Sequence, residues 1–254
     1  MFKSMIIAFS TYSKIPMPKT EWNEKSMRFS MCFFPFVGAV IGGLSLALYY
    51  LTVSVLGCSE ILSAAVLTCI PVLVTGGIHV DGFLDTIDAK SSYKDADEKL
   101  RILKDPHTGA FAIIYGIVYF VLYFGFMYEL IRERNILTVA VMAIGHIYVR
   151  AMSGLSVVLL RKAKKDGMIA ASADAAPGIV KWIMVLWILL CAVAMALVDV
   201  RYGIVAVLAG LVAFIYYRNM AYRTFGGITG DLAGYFLQLA KLMILMTLVI
   251  VMRI

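Results

Sequence analysis

The sequence predicts an all-α fold: a polytopic integral membrane helix bundle of about seven transmembrane helices. Of its 254 residues, 62% are hydrophobic and only 15% are charged, against roughly 25% charged in an ordinary soluble domain. Mean hydropathy is +0.89. Seven mostly apolar stretches approach the ~20 residues that a spanning helix needs. Each is longer than the roughly 9–11 residues of a membrane barrel strand and none keeps a strict period of two, so helices are expected rather than a barrel. The stretches run almost end to end, which makes residues 1–254 one membrane-embedded domain.

The elements follow in order. Residues 1–30 precede the first span. Met1 to Pro18 places Met5, Ile6, Ile7, Phe9, Tyr12, Ile15 and Met17 among scattered lysines, a segment too short to cross and expected to lie along the cytoplasmic interface. Its five-residue apolar patch after Lys3 is shorter than a signal peptide's core, so no cleavage is expected. Spans are read at 31–53, 61–80, 109–131, 136–160, 182–199, 203–217 and 233–252. The third is the clearest, with no charge from Ala110 to Tyr128; the sixth is the weakest, with sixteen uncharged residues from Tyr202 to Tyr217. Six spans plus a re-entrant segment is the alternative count.

With the N-terminus in the cytoplasm, seventeen Lys and Arg fall in inside segments and four in outside segments, as the positive-inside rule requires. An N-in, C-out protein of the cytoplasmic (inner) membrane is expected. The net charge of +7 fits that orientation and an anionic substrate. It does not point to nucleic acid, since no basic arm or aromatic-basic module is present. Cys32, Cys58, Cys69 and Cys191 show neither C-x-x-C spacing nor a zinc-type cluster and are read as reduced, buried fillers.

Chemistry gathers in two places. Seven of the sixteen acidic residues lie between Asp81 and Asp105. At the cytoplasmic end of the second span, Gly76-Gly77-Ile78-His79-Val80-Asp81-Gly82-Phe83-Leu84-Asp85-Thr86-Ile87-Asp88 sets Asp81, Asp85 and Asp88 at i, i+4 and i+7. If the helix continues, the three carboxylates share one face. Their repulsion is relieved by a divalent cation, and a few carboxylates with open water positions suit Mg²⁺. Asp95, Asp97 and Glu98 fit a solvated acidic loop. Arg101 and Lys104 can hold phosphate oxygens ahead of the Pro106–Gly109 turn. The second place is Gly226-Gly227-Ile228-Thr229-Gly230-Asp231, where glycines let backbone N–H groups approach an anion at a helix start. Asp231 either adds a carboxylate or caps that helix. Arg150, deep in the fourth span, needs a motif aspartate or a substrate phosphate as partner, unless it snorkels. His146 is read as a core histidine, Lys241 is unassigned, and the basic run Arg161, Lys162, Lys164 and Lys165 is read as chiefly topogenic, with steering of an anionic substrate as the alternative.

These residues together resemble the cobalamin synthase family, the adenosylcobinamide-GDP ribazoletransferases. The resemblance covers the Phe9–Pro18 opening, Phe34-Pro35-Phe36-Val37-Gly38, the His79-x-Asp81-Gly82-x-x-Asp85-Thr86-x-Asp88 core, Lys104-Asp105 with Gly109, and Gly226-Gly227-x-Thr229-Gly230-Asp231-x-x-Gly234. It departs from the family pattern at Gln238, where a glutamate is frequent, and at Ala89, where glycine is usual. The resemblance implies Mg²⁺-dependent transfer of the adenosylcobinamide phosphoryl unit from adenosylcobinamide-GDP to α-ribazole or α-ribazole 5′-phosphate, with release of GMP. It implies Asp81, Asp85 and Asp88 as metal ligands and Asp105 or Asp231 completing the site. His79 then orients a ligand or accepts a proton, with a helix-end histidine bonded to backbone as the alternative. Lys104, Arg150, Gly227 and Gly230 would hold phosphate. The expected partners are the corrinoid and α-ribazole substrates and the lipid bilayer, with a homo-oligomer or other cobalamin-assembly enzymes also compatible.

Two rival readings are weaker. A CDP-alcohol phosphotransferase would carry Asp-Gly-x-x-Ala-Arg, and here Asp85-Thr86 stands where Ala-Arg should. An ion-coupled transporter is disfavoured because the acids cluster at one membrane face and no internal repeat is visible.

Overall fold

Long uncharged stretches leave the backbone no partners but its own carbonyls, and within a membrane only a helix satisfies every group inside one segment. The computed structural model, which describes residues 1–163 and 168–254, accordingly consists of helices: α1 (Phe2–Tyr12), α2 (Glu24–Met27), α3 (Ser30–Tyr49, continued by a π-helical segment Tyr50–Val55), α4 (Glu60–Thr75), α5 (Ile78–Ser91), α6 (Ala96–Ile102), α7 (Ala110–Arg132), α8 (Ile136–Leu159), α9 (Met168–Ala175), α10 (Ile179–Val198), α11 (Val200–Phe225) and α12 (Gly230–Met252). Among the described residues the single β-type pairing is an isolated bridge between Lys162 and Ile228. Among the described residues, six helices are long and apolar enough to cross a membrane: α3 with its π-helical extension, α7, α8, α10, α11 and α12.

The second predicted span is the one the fold alters. Residues 61–80 do not form a continuous helix. Gly76 and Gly77 adopt φ of 64° and 84°, a left-handed conformation in which a side chain is strained, and the axis turns by 92° between α4 and α5. The bent pair is compatible with either count, as a broken seventh span or a re-entrant segment: α4, with 16 residues, reaches about 24 Å, and α5 is a separate helix beyond the bend. The sixth span, read as the weakest, is a helix of 26 residues. Asp199 caps it by accepting from the Tyr202 N–H at 2.9 Å, and it runs past Arg218 and Arg223 because those charges lie at its exposed final turns.

The N-terminal segment is also more built-in than the interfacial expectation. α1 buries Ile6, Ile7, Ala8 and Phe9, and Tyr12 packs on Phe34 of α3 at 4.4 Å between ring centroids. Of the four free cysteines, Cys32 and Cys191 are buried, Cys58 is half-buried and Cys69 is exposed, so the filler reading holds for two. Lys164 and Lys165 of the basic run lie outside the described residues.

α8 is the centre of the bundle: 72% of its most apolar window is buried, against 22% for α7 and α10. Apolar lipid tails give spanning helices little reason to associate, so close packing must supply it, and small residues permit that. A Cβ at Gly38 or Gly42 of α3 would stand 2.4 or 2.5 Å from the His146 or Ala143 carbonyl oxygen of α8. Gly43, one residue on, faces open space. Overpacking typically costs about 1–3 kcal/mol, so Gly42→Leu is expected to lower the melting temperature of the detergent-purified protein, whereas Gly43→Leu leaves it unchanged. Equal melting of both variants would contradict the α3–α8 contact.

Candidate active site

The bend at Gly76–Gly77 aims α5 across the ends of α7 and α12, and α5 carries the predicted acidic face. Its opposite face buries Gly82, Phe83, Thr86 and Ala89. Phe83 stacks on Tyr235 of α12, with ring centroids 5.6 Å apart. The closest approach is at Gly82: a Cβ there would lie 2.7 Å from the Asp231 Cα. Gly234 reciprocates, its own Cβ position falling 3.0 Å from the His79 carbonyl oxygen. The glycine between the motif aspartates therefore serves helix packing, and it delivers Asp231 to the acidic face of α5. Asp81, Asp88 and Asp231 all lie within electrostatic reach of Asp85.

Each predicted residue finds a definite place. Asp81 is exposed and Asp85 half-buried. Asp88 anchors the next helix: its Oδ2 accepts from the Gly109 N–H at 2.6 Å and its Oδ1 from the Ala112 N–H at 2.8 Å. This carboxylate thus caps α7, satisfying amides that a helix start leaves without partners. Asp231 is not the cap of α12; Thr229 is, its Oγ1 accepting from the Leu232 N–H at 3.3 Å. Asp105 turns to its own loop, where its Oδ1 accepts from the His107 N–H at 2.9 Å. That bond and the His107 ring hold the Asp105 carboxyl below the usual carboxylate range.

Gly227 has a different task from the phosphate contact expected of it. Its N–H is used by the Ala221 carbonyl at 3.2 Å, and a Cβ would stand 2.5 Å from the Ala163 nitrogen. The neighbouring amides are also engaged: the Ile228 N–H donates to Arg161 O, and the Ala163 N–H to Ile228 O, both at 2.9 Å. The glycines here dock the α11–α12 turn against the chain leaving α8.

A cavity of about 310 Å³ opens beside this crossing, and His79, Asp81, Lys104, Gly230 and Asp231 line it. Tyr12, Phe34, Ser153 and Lys162 are among its other wall residues. Tyr12 entered the sequence reading within the interfacial segment and, like Phe34, within motifs of the family resemblance, Lys162 entered only within the basic run, and nothing marked Ser153; that the four meet was not legible because they come from four separate segments. Arg150 stands outside this lining. It is buried in α8, where its Nη1 donates to the His146 carbonyl at 3.0 Å, and it does not snorkel. His146, read as a core histidine, is buried in α8. Among the described residues, no three His, Cys, Asp or Glu side chains converge as a ready metal cage. The donor set is nonetheless all carboxylate oxygen, the chemistry that hard divalent cations take.

A second, more open cavity of about 410 Å³ runs along Phe83, Ile87 and Lys90 of α5, walled by Tyr119 and Tyr235. Lys90 Nζ donates to the Tyr216 Oη at 3.1 Å there. Gln238, the departure noted in the sequence, accepts from the Tyr119 hydroxyl at 2.8 Å, a neutral contact that anchors α7 to α12.

Comparison with known proteins agrees along nearly the whole chain. Residues 4–249 match the family described as cobalamin-5-phosphate synthase. A Lachnoclostridium phytofermentans protein named adenosylcobinamide-GDP ribazoletransferase is 48% identical over 244 residues, covering 94% of this chain and 90% of that one. Proteins of the same name from Clostridium perfringens and Pseudomonas fluorescens are each 30% identical, over 94% and 86% of this chain and 94% and 87% of their own. No solved structure matches the chain.

The differing environments of the carboxylates separate by stability. Asp88→Ala removes a helix cap, a loss of typically ~1 kcal/mol and up to about 2, and is expected to lower the melting temperature. Asp85→Asn relieves like-charge repulsion and, in metal-free buffer, is expected to melt no lower than the parent. The reverse order would refute the assignment of Asp88 as the α7 cap.

Proposed function

The chain belongs to the cobalamin-5-phosphate synthase family, and from that premise we propose that it is an adenosylcobinamide-GDP ribazoletransferase. It would move the adenosylcobinamide phosphoryl unit from adenosylcobinamide-GDP to α-ribazole or α-ribazole 5′-phosphate and release GMP. The observation that carries this reading is that Asp231 of α12 comes within electrostatic reach of Asp85 on the acidic face of α5, beside a cavity that Asp81, Asp231 and Lys104 line. Unrelated hydrophobic packing would not gather acids there, since like charges at close range repel.

Mg²⁺ fits this donor set. Asp81, Asp85 and Asp231 would hold it, and it would neutralise charge on the phosphoryl oxygens and on the departing GMP. The chain's own groups do the remaining work. Asp88 keeps α5 registered against α7, so the other carboxylates stay at fixed positions. Lys104 offers an ammonium to phosphate oxygens at the cavity mouth. His79 lies two residues before Asp81, and its buried Nε2 has no partner among the described residues. That nitrogen is suited to take the proton of the acceptor hydroxyl. The aromatic walls of Tyr12 and Phe34 keep bulk water from the attacking group. The cavity lies at the end of the bundle shared by the starts of α3, α7 and α12, and the Lys and Arg asymmetry supports reading that end as the cytoplasmic side of an inner-membrane protein.

Product formation from labelled adenosylcobinamide-GDP is the direct test. Parent protein is expected to release GMP only with added Mg²⁺, and Asp81→Asn and Asp85→Asn to lose at least about 10²-fold, the scale of removing a transition-state charge partner. Parent-like turnover in either variant would sink the assignment. Orientation is checked separately in a cysteine-free background: a cysteine replacing exposed Tyr93 should react with a membrane-impermeant maleimide only from the cytoplasmic side, and one replacing Arg134 only from outside.

A further inference from the structure

The cavity leaves a second group of charges unused. Arg150 of α8 and Lys241 of α12 are 1% and 4% exposed, each on a membrane-crossing helix. Both stand one helical turn behind the cavity wall, since Ser153 and Leu237, three and four residues away on the same helices, line it. Within the described residues neither cation forms an ion pair, and the neighbours in their electrostatic reach are Tyr123, His79, His146 and each other. Gln238, one turn from Lys241, is a neutral amide already engaged by Tyr119.

Unsatisfied polar atoms lie within the electrostatic reach of this pair. Arg150 Nε, His146 Nδ1, Tyr123 Oη and His79 Nε2 are buried with no hydrogen-bond partner. Natural structures seldom leave buried polar groups unpaired, and a charge inside the membrane ordinarily has a partner or a water-filled path. Two basic side chains with no counter-ion among the described residues, and these atoms within their electrostatic reach, suit an anion that offers several acceptor oxygens. A phosphate group meets that description, because a guanidinium fork, an ammonium, a phenol and an imidazole N–H can each take one of its oxygens. The cavity is the near space: the Phe34 ring, which lines it, lies 5.8 Å from the Arg150 guanidinium carbon.

We propose that Arg150 and Lys241, with Tyr123 and His146, form a phosphate seat at the floor of the cavity, separate from the acidic rim. The inference rests on the phosphoryl-transfer reading above. The phosphate belongs to one of two sources, the 5′-phosphate of the acceptor or the guanylyl phosphate of the donor.

Lys241→Met and Arg150→Lys test this. A buried lysine without a partner is replaced by methionine with little loss, or even a gain, of stability, so Lys241→Met is expected to fold. Inorganic phosphate and GMP should raise the melting temperature of detergent-purified parent protein, and the rise should disappear in Lys241→Met. Arg150→Lys keeps the charge but loses the fork and should retain a reduced rise. Kinetics then identify the source. If the seat takes the acceptor's phosphate, the kcat/KM ratio of phosphorylated to free acceptor falls about ten- to hundredfold in Lys241→Met, the range of charged hydrogen bonds. If it takes the donor's, KM for adenosylcobinamide-GDP rises by that factor and the acceptor ratio holds. An unchanged phosphate-induced rise and unchanged KM values in Lys241→Met would overturn the seat and make the cations structural. A parent inactive with either acceptor would defeat the proposed function alone, because phosphate stabilisation is read without turnover.

Discussion

The contact between α5 and α12 at Gly82 and Gly234 is the constraint on which the site rests. Two helix backbones approach until a single methyl group on either would collide with the other. That proximity places carboxylates from segments 150 residues apart into one another's fields, an arrangement that electrostatics alone opposes. Aromatic packing supplies the opposing attraction. Phe83 lies against both Tyr235 and Tyr119, at 5.6 and 5.0 Å between centroids, so the buried face of α5 holds the acidic face where it is. The Asp88 cap ties the same helix to α7.

The bundle behind this crossing is organised by charge in depth. Acids occupy the end where α5 lies across the helix starts, and two cations occupy the interior behind it. The far end carries a different set: Arg253 bonds Glu129 and Glu133, and Arg134 bonds Glu60 at 2.9 Å. Those exposed pairs contribute little stability each, but they tie together the far ends of α4, α7 and α12.

The same glycine-mediated logic recurs in the core, and it explains why α8 can be both central and polar. Close approach of α3 at Gly38 and Gly42 excludes lipid from α8, and this lets Arg150, His146, Ser153 and Ser156 sit inside a membrane-crossing helix. The exposed apolar faces of α7 and α10 take the lipid contact instead, including Val121, Leu122, Leu186 and Leu189.

Composition and hydropathy were enough to read an all-α membrane bundle, because the length and polarity of a spanning helix are one-dimensional properties. The i, i+4, i+7 spacing of Asp81, Asp85 and Asp88 likewise announced a shared acidic face, and the helix that bears it follows from its own residues. Other features needed three dimensions. The 92° bend depends on Gly76 and Gly77 taking left-handed conformations, and glycine permits that without requiring it. The jobs of Gly227, Thr229 and Asp88 depend on which backbone groups stand opposite them, and that is set by contacts between distant segments. Lys241 and Arg150 were visible as charges in apolar stretches, but their shared lack of a counter-ion among the described residues is a property of the packed bundle, since only tertiary structure decides which acids come within reach of a buried basic group.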